Sequence, residues 1–197
     1  MSEASGDGAG TIQLTAGDLA IGAANVWADN EGASAPRSGI RIEAGRLTLD
    51  DAALVSTDVF ADGAGAAVQV DAGDVMVLRG AQLRSLTFAG SQGRAGDVRV
   101  VATSLLVDGE NVTDQVSGVI ADTNGTGDGG HVSVQAGQLT LTRGGQIRAL
   151  TRGDGAGGRV FVDAGSLVVD GAGFEPFLTA VLASSEAEAS GAGGDVI

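Results

Sequence analysis

The chain has no cysteine and no tyrosine, and its aromatic residues are five phenylalanines and one tryptophan. Without thiolates there is no disulfide framework, and no zinc or iron–sulfur site that depends on cysteine. Basic residues are scarce as well. Eleven Lys and Arg face 25 Asp and Glu, for a formal charge of -14. That sign opposes the counterion displacement on which nucleic-acid binding rests. No run approaches the roughly 18 apolar residues of a membrane helix. Residues 1–8 lack the basic stretch and apolar core of a secretory leader. What is abundant is glycine, 34 of 197 residues, against a usual share of about 7%. Hydrophobic residues make up 43% and mean hydropathy is +0.20, which argues against disorder.

One pattern recurs along the chain: apolar-x-apolar-x-Ala-Gly-x-Leu-x-apolar. Copies start at Ile12, Ile40, Val68, Val98, Val132 and Val160, and a seventh begins at Val196. The starts lie 28, 28, 30, 34, 28 and 36 residues apart. Self-similarity at this period is the signature of a solenoid. Within a copy the apolar period is 2, as at Ile12, Leu14 and Ala16. The parity then slips by one at Gly17, so that Leu19 and Ile21 continue the face. Gly45, Gly73, Gly137 and Gly165 repeat the slip, and Thr103 departs from it. Two short strands meeting at a corner explain the slip, because both must aim apolar residues inward. A third strand is expected to aim Val26, Leu54, Leu83, Val116, Ile147 and Leu178 inward. The small residues Ser56, Ser85, Gly118, Ala149 and Ala180 follow two places later. For Leu178 and the residues after it, the repeat alignment favours a strand over a helical turn.

Three strands and a Gly- and Asp-rich loop make one triangular coil. The predicted fold is all-β: a right-handed parallel β-helix of about six three-strand coils of 28–36 residues. Coils stack about 4.8 Å apart, and the handedness follows the crossover rule. A propeller or sandwich lacks support, since the aromatic signatures of blades are missing. Residues 1–9 read as a flexible segment and 10–197 as a single β-helix domain. Insertions fall at 108–115, 171–176 and 184–193, in the loops where solenoids vary.

The run Gly-Gly-x-Val-x-Val-x-Ala-Gly-x-Leu-x-Leu-x-x-Gly-x-Gln-Ile-x-Ala-x-Thr-x-Gly-x-Gly, at Gly129–Gly155, resembles the repeat region of filamentous haemagglutinin-type adhesins. Those are exported by two-partner secretion in Gram-negative bacteria. The resemblance spans Gly10 to Ile197. It implies a structural rod segment of a secreted, surface-associated adhesin with no enzymatic activity, found outside the cell or at the bacterial surface. It also implies an excerpt of a longer fibre whose loops meet an unidentified cell-surface or carbohydrate receptor. Neither nucleic acid nor membrane insertion is expected. Open strand edges allow end-to-end self-association of coils.

Thr15, Glu43, Asp71, Val101, Gln135 and Asp163 form one outward column, in which Glu43 and Asp71 neighbour each other. A carbohydrate-active β-helix, whether lyase, hydrolase or sugar-binding, uses acids on such a face. A glycosidase, however, needs two carboxyls at a defined separation. Asp122, Asn124, Thr126 and Asp128 place oxygens at alternate positions, as calcium loops do, but no closing Glu follows. Arg152-Gly153-Asp154 spells a tripeptide read by integrins, in a loop. His131 holds an ordinary loop-to-strand position and has no Ser and acid partners for a triad. The glycine runs lack the Lys of a phosphate loop. Asn111–Thr113 and Asn124–Thr126 match the glycosylation sequon. An ice-binding face would need regular Thr pairs, and the outward positions are mixed. No residue is therefore assigned as catalytic, as a cofactor contact or as a metal ligand.

Overall fold

The computed structural model describes residues 10–34, 39–110, 115–172 and 177–197. The chain alternates long and short strands. The long ones are β1 (Thr11–Gly22), β3 (Gly39–Asp50), β5 (Ala67–Leu78), β7 (Val98–Asp108), β9 (Val132–Thr142) and β11 (Val160–Asp170). The short ones are β2 (Asn25–Trp27), β4 (Leu54–Ser56), β6 (Gln82–Thr87), β8 (Gly118–Thr123), β10 (Gln146–Thr151) and β12 (Ala180–Ser185). The long strands form one six-stranded parallel sheet and the short strands a second, each in order along the chain. One long and one short strand make a coil, numbered here 1 to 6. No helix occurs among the described residues, and residues 180–185 are strand rather than helical turn. The expected flexibility of residues 1–9 falls outside the described residues.

The repeat register is kept exactly as the motif spacing predicts. Ile12, Ile40, Val68, Val98, Val132 and Val160 pair in one continuous column. All six are buried. Beyond the parity slip, Leu47, Val75, Leu105 and Leu139 form a second buried column, and Leu49, Val77, Val107 and Leu141 a third. Like residues stack on like because neighbouring coils occupy the same cross-section, one strand spacing apart.

Two expectations are corrected. The two strands expected on either side of Gly17 and its equivalents run as one strand. The pairing passes from Ala16–Ala44 to Asp18–Arg46 and skips the glycines. Beyond coil 1 these glycines sit close to the backbone of the coil before, although Thr103 takes the same place in coil 4. A Cβ on Gly45 would lie 2.6 Å from the carbonyl oxygen of Gly17, and one on Gly73 2.6 Å from that of Gly45. The inward column of the short strands is Val26, Val55, Leu83, Val119, Ile147 and Val181. Leu54, Val116 and Leu178 are therefore misplaced in the sequence reading, and Leu178 is 71% exposed. Leu54 and Val55 are both apolar, so alternation alone cannot choose between them. The longer loops before β8 and β12 shift the other two. The small positions shift with them, to Ala28, Thr57, Ser85, Ala121, Ala149 and Ala183.

The turn between the sheets sets that register. In coil 2, Ala53 N–H donates to Asp50 O across Asp51 and Ala52, whose φ angles are 50° and 59°. Coils 3 and 5 repeat the turn with Arg79–Gly80 and Arg143–Gly144, again at positive φ. Two consecutive left-handed residues are the geometry of a type I′ turn, which favours glycine.

A second device pins the glycine loops. Hydroxyls at the ends of the short strands, buried at Thr123 and Thr151 and exposed at Ser185, bond loop carbonyls: Thr123 to Gly127 O at 2.7 Å, Thr151 to Gly155 O at 2.6 Å, Ser185 to Gly191 O at 2.7 Å. Thr87 and Thr123 also bond each other at 2.6 Å. The loops stack so closely that a Cβ on Gly96, Gly130, Gly158 or Gly194 would collide with the carbonyl of the coil before.

Two stability tests follow. Ala52 is exposed and strained, and coils 3 and 5 carry glycine there. Ala52→Gly should raise stability by roughly 0.5–1 kcal/mol in urea unfolding. Gly130→Ala should lower it by several kcal/mol, on the order of other backbone overpacking.

Candidate functional site

The outward face of the long-strand sheet carries the column expected from sequence. Glu43 neighbours Asp71, and Asp71 neighbours Val101. Glu43 is engaged within its own strand, accepting from Arg41 Nε at 2.7 Å. Alongside runs a rail in which Arg46 lies between Asp18 and Asp74, at 3.5 and 3.8 Å. Exposed pairs of this kind contribute about 0–1 kcal/mol each. Beside the rail, Arg46, Asp74, Met76, Ser104, Leu106 and Gln138 line an open groove of about 560 Å³. No groups of three or more acidic or histidine side chains suited to a metal occur among the described residues.

The loop expected to resemble a calcium site is wired differently. Asp122 is 1% exposed and pairs with Arg148 at 2.9 Å and Arg152 at 3.2 Å. Its Oδ1 accepts Leu150 N–H at 3.0 Å. A carboxylate bound to two guanidinium groups is not free for a cation. Asp128 is exposed and accepts Ala156 N–H at 3.0 Å. Asn124 Oδ1 is buried without a hydrogen-bond partner. These residues are not brought around a common centre.

The Arg152-Gly153-Asp154 tripeptide is engaged at both ends. Arg152 pairs with Asp122 and, at 2.8 Å, with Glu186. Asp154 accepts from Ser190 Oγ at 2.6 Å. His131 is exposed, as its position implies, and its Nδ1 accepts Arg159 N–H at 3.0 Å. Residues 111–113 lie outside the described residues.

The constellation that sequence reading missed is on the outer face of the short-strand sheet. Asp29, Asp58, Phe60, Arg84 and Phe88 gather there in coils 1 to 3, and Trp27 shares the register position of Ser56 and Arg84. The rings of Phe60 and Phe88 stack at 4.4 Å with 12° between planes, and Phe60 is 47% exposed. Asp58 is 2% exposed and bound by Arg84 through Nε at 3.1 Å and Nη2 at 2.6 Å. Asp29 Oδ1 accepts Asp58 N–H at 2.7 Å and Ser56 Oγ–H at 3.1 Å. Burial and, second, the Asp58 charge push the Asp29 carboxyl up to about 6, with the hydrogen bonds from Asp58 N–H and Ser56 and the Arg84 charge only partly offsetting them. Burial likewise raises Asp58, against the pull of Arg84. These acids lie outside the repeated motif, in stretches of varying length, and alternation gave them no partner. The signal available was Gln-x-Arg-x-Leu at 82–86 and again at 146–150. In each, the Gln Oε1 accepts from the Arg, at 3.2 and 2.8 Å.

No known protein family, no curated protein and no solved structure matches the chain.

The raised Asp29 carboxyl has a consequence for pH. Protonated Asp29 is favoured by the fold relative to the unfolded chain, so its contribution is present below about pH 4. It is lost as pH rises through about 6. Asp29→Asn keeps the Oδ1 acceptor and removes the charge. The variant should be more stable than the parent at pH 7.5, by about 1–2 kcal/mol after allowing for partial exposure, and equal to it at pH 4. Urea unfolding at the two pH values measures this.

Proposed function

We propose that this chain is a shaft segment of a secreted, surface-associated bacterial adhesin, a right-handed parallel β-helix with no catalytic role. The two six-stranded sheets are two sides of that helix, and the stacked glycine loops close the third. The observation that carries the reading is the unbroken register. Each long strand pairs residue for residue with the next through all six coils. A ladder of parallel hydrogen bonds around stacked apolar columns resists bending and pulling along its axis. Similarity to filamentous haemagglutinin-type repeats rests on the Gly129–Gly155 pattern and supplies the adhesin and two-partner secretion context. In this reading the loops present contacts to a receptor at the cell surface.

End-to-end contact between coils is part of the proposal. Leu167, Val168 and Val169 of coil 6 are about half exposed, while Leu139 and Leu141 of coil 5 are buried. They offer an apolar face and strand edge to a further coil.

A second reading has one observation behind it. Trp27, Phe60 and Phe88 put three of the six aromatics on one outward face, beside Asp29 and Asp58. Aromatic faces and carboxylates are the usual furniture of a carbohydrate-binding solenoid.

Beads coated with the chain separate the two. The shaft reading expects attachment to epithelial cells above that of albumin-coated beads, made through the loops and unchanged by Trp27→Ala or Phe60→Ala. It also expects force-resistant unfolding in pulling experiments. Saturable glycan attachment that falls at least about ten-fold in Trp27→Ala or Phe60→Ala would replace it with the second reading.

A further inference from the structure

The Asp–Arg pairs follow a two-coil period that the apolar motif does not have. At the turn and the short strand, coil 2 supplies acids and coil 3 supplies arginines, whereas on the long strands Arg46 of coil 2 faces Asp74 of coil 3 at 3.8 Å. Arg79 pairs with Asp50 and, at 2.9 Å, with Asp51, and Arg84 pairs with Asp58 at 2.6 Å. Coil 4 and coil 5 repeat this at the same places. Arg143 pairs with Asp108 and, at 3.2 Å, with Glu110, and Arg148 pairs with Asp122 at 2.9 Å. The arginine coils share one string, Arg79-Gly80-Ala-Gln82-Leu-Arg84-Ser-Leu86-Thr87 and Arg143-Gly144-Gly-Gln146-Ile-Arg148-Ala-Leu150-Thr151.

The junction between coils 3 and 4 is different in kind. Apart from the sequence-local Arg94–Asp97 pair, no ion pair joins them among the described residues. Hydrogen bonds without an arginine do: Ser104 Oγ to the Asp74 carboxylate at 2.7 Å, Gln82 Nε2 to Val116 O at 3.0 Å, Ser117 Oγ from Gly80 N–H at 2.8 Å. Coils 5 and 6 repeat two of these, Gln146 Nε2 to Leu178 O and Thr179 Oγ1 from Gly144 N–H, at 2.9 and 2.8 Å.

We infer that these half-buried Asp–Arg pairs form a stacking code, in which an acidic coil is held more firmly by an arginine coil on its C-terminal side than by another acidic coil. The apolar columns alone cannot do this, because all six coils present similar Ile, Val and Leu at each position. Nothing in them distinguishes coil 3 from coil 4 as the neighbour of coil 2. Polar groups in otherwise uniform cores are the best-attested means of fixing register. The molecule contains its own control. Asp29 lies above Asp58, and the position from which Arg84 and Arg148 reach down is occupied in coil 2 by Ser56. There the carboxyl is pushed up to about 6, by burial first and by the Asp58 charge second, and no arginine forks it. If coil 2 stacked on coil 4, Asp58 would lie beside Asp122, and Ile120 would stand where Arg84 stands now. If it stacked on coil 5, Arg143 and Arg148 would take the places of Arg79 and Arg84.

Two deletions in the full chain test the code. Removing 68–97 takes out coil 3 and sets acidic coil 2 on acidic coil 4. Removing 68–131 takes out coils 3 and 4 and sets coil 2 on arginine coil 5. A solenoid stabilised only by nearest-neighbour burial favours the smaller deletion, which keeps more coils. The code reverses the order. The larger deletion should melt in one transition with Tm on the order of 10 °C above that of the smaller. Placing Gly109→Arg and Ile120→Arg in the smaller deletion should recover most of the difference. A smaller-deletion Tm equal to or above the larger one overturns the code. Should neither shortened chain fold, a double-mutant cycle of Asp58→Asn and Arg84→Met in the full chain decides. Coupling of roughly ten-fold or more in the unfolding constant supports the code, and additivity overturns it.

Discussion

Everything in this molecule follows from the spacing of parallel strands. Coils lie about 4.8 Å apart, so a residue in one coil has its equivalents directly above and below it. A side chain that fits once must fit repeatedly, and a backbone that approaches its neighbour must do so in every coil. The apolar columns satisfy the first demand. The glycines satisfy the second, because at Gly45, Gly73, Gly137 and Gly165 a carbonyl from the preceding coil occupies the space of a side chain. The high glycine content is thus a packing requirement more than a sign of flexibility.

Polar groups obey the same spacing. Inward hydroxyls of Thr87, Thr123 and Thr151 would be costly in an apolar core without partners. They bond one another and the backbone of the loops they face. Outside, like charges in one column repel, and the chain answers by alternation. Arg46 lies between two aspartates, and Asp50, Asp58, Asp108 and Asp122 each meet an arginine from the following coil. All eleven basic residues are arginine. A planar fork can hold one carboxylate at two points while spanning adjacent coils, which a lysine cannot do. Asp108 shows the result: burial raises its carboxyl, but the Arg143 fork and a backbone N–H outweigh this and hold it below the usual range.

The same wiring bears on function. Asp122, Arg152 and Asp154 each attract attention as ligand or receptor contacts when read as a string. In the fold they are bound to side chains of neighbouring coils, so the surface they offer is smaller than their sequence suggests. The outer face that does gather aromatic and acidic groups is built from residues with no motif in common. A repeat array with one differentiated patch near coils 1 to 3 has a surface that a uniform stack of identical coils does not.

The sequence by itself determined the repeat, the parallel stacking, the core columns of the long strands and the parity slip at each glycine. It could do so because alternation and period are local properties of a string, repeated six times. The phase of the short strands was not legible at Leu54, Val116 and Leu178. Adjacent apolar residues and loops of unequal length leave two or more phases open, and only backbone pairing across coils selects one. The meeting of Asp29, Asp58 and Arg84 was decided by tertiary structure alone. Their partners stand one coil away, at separations that vary with the loops, and a charge pair has no periodicity of its own until the coils are stacked.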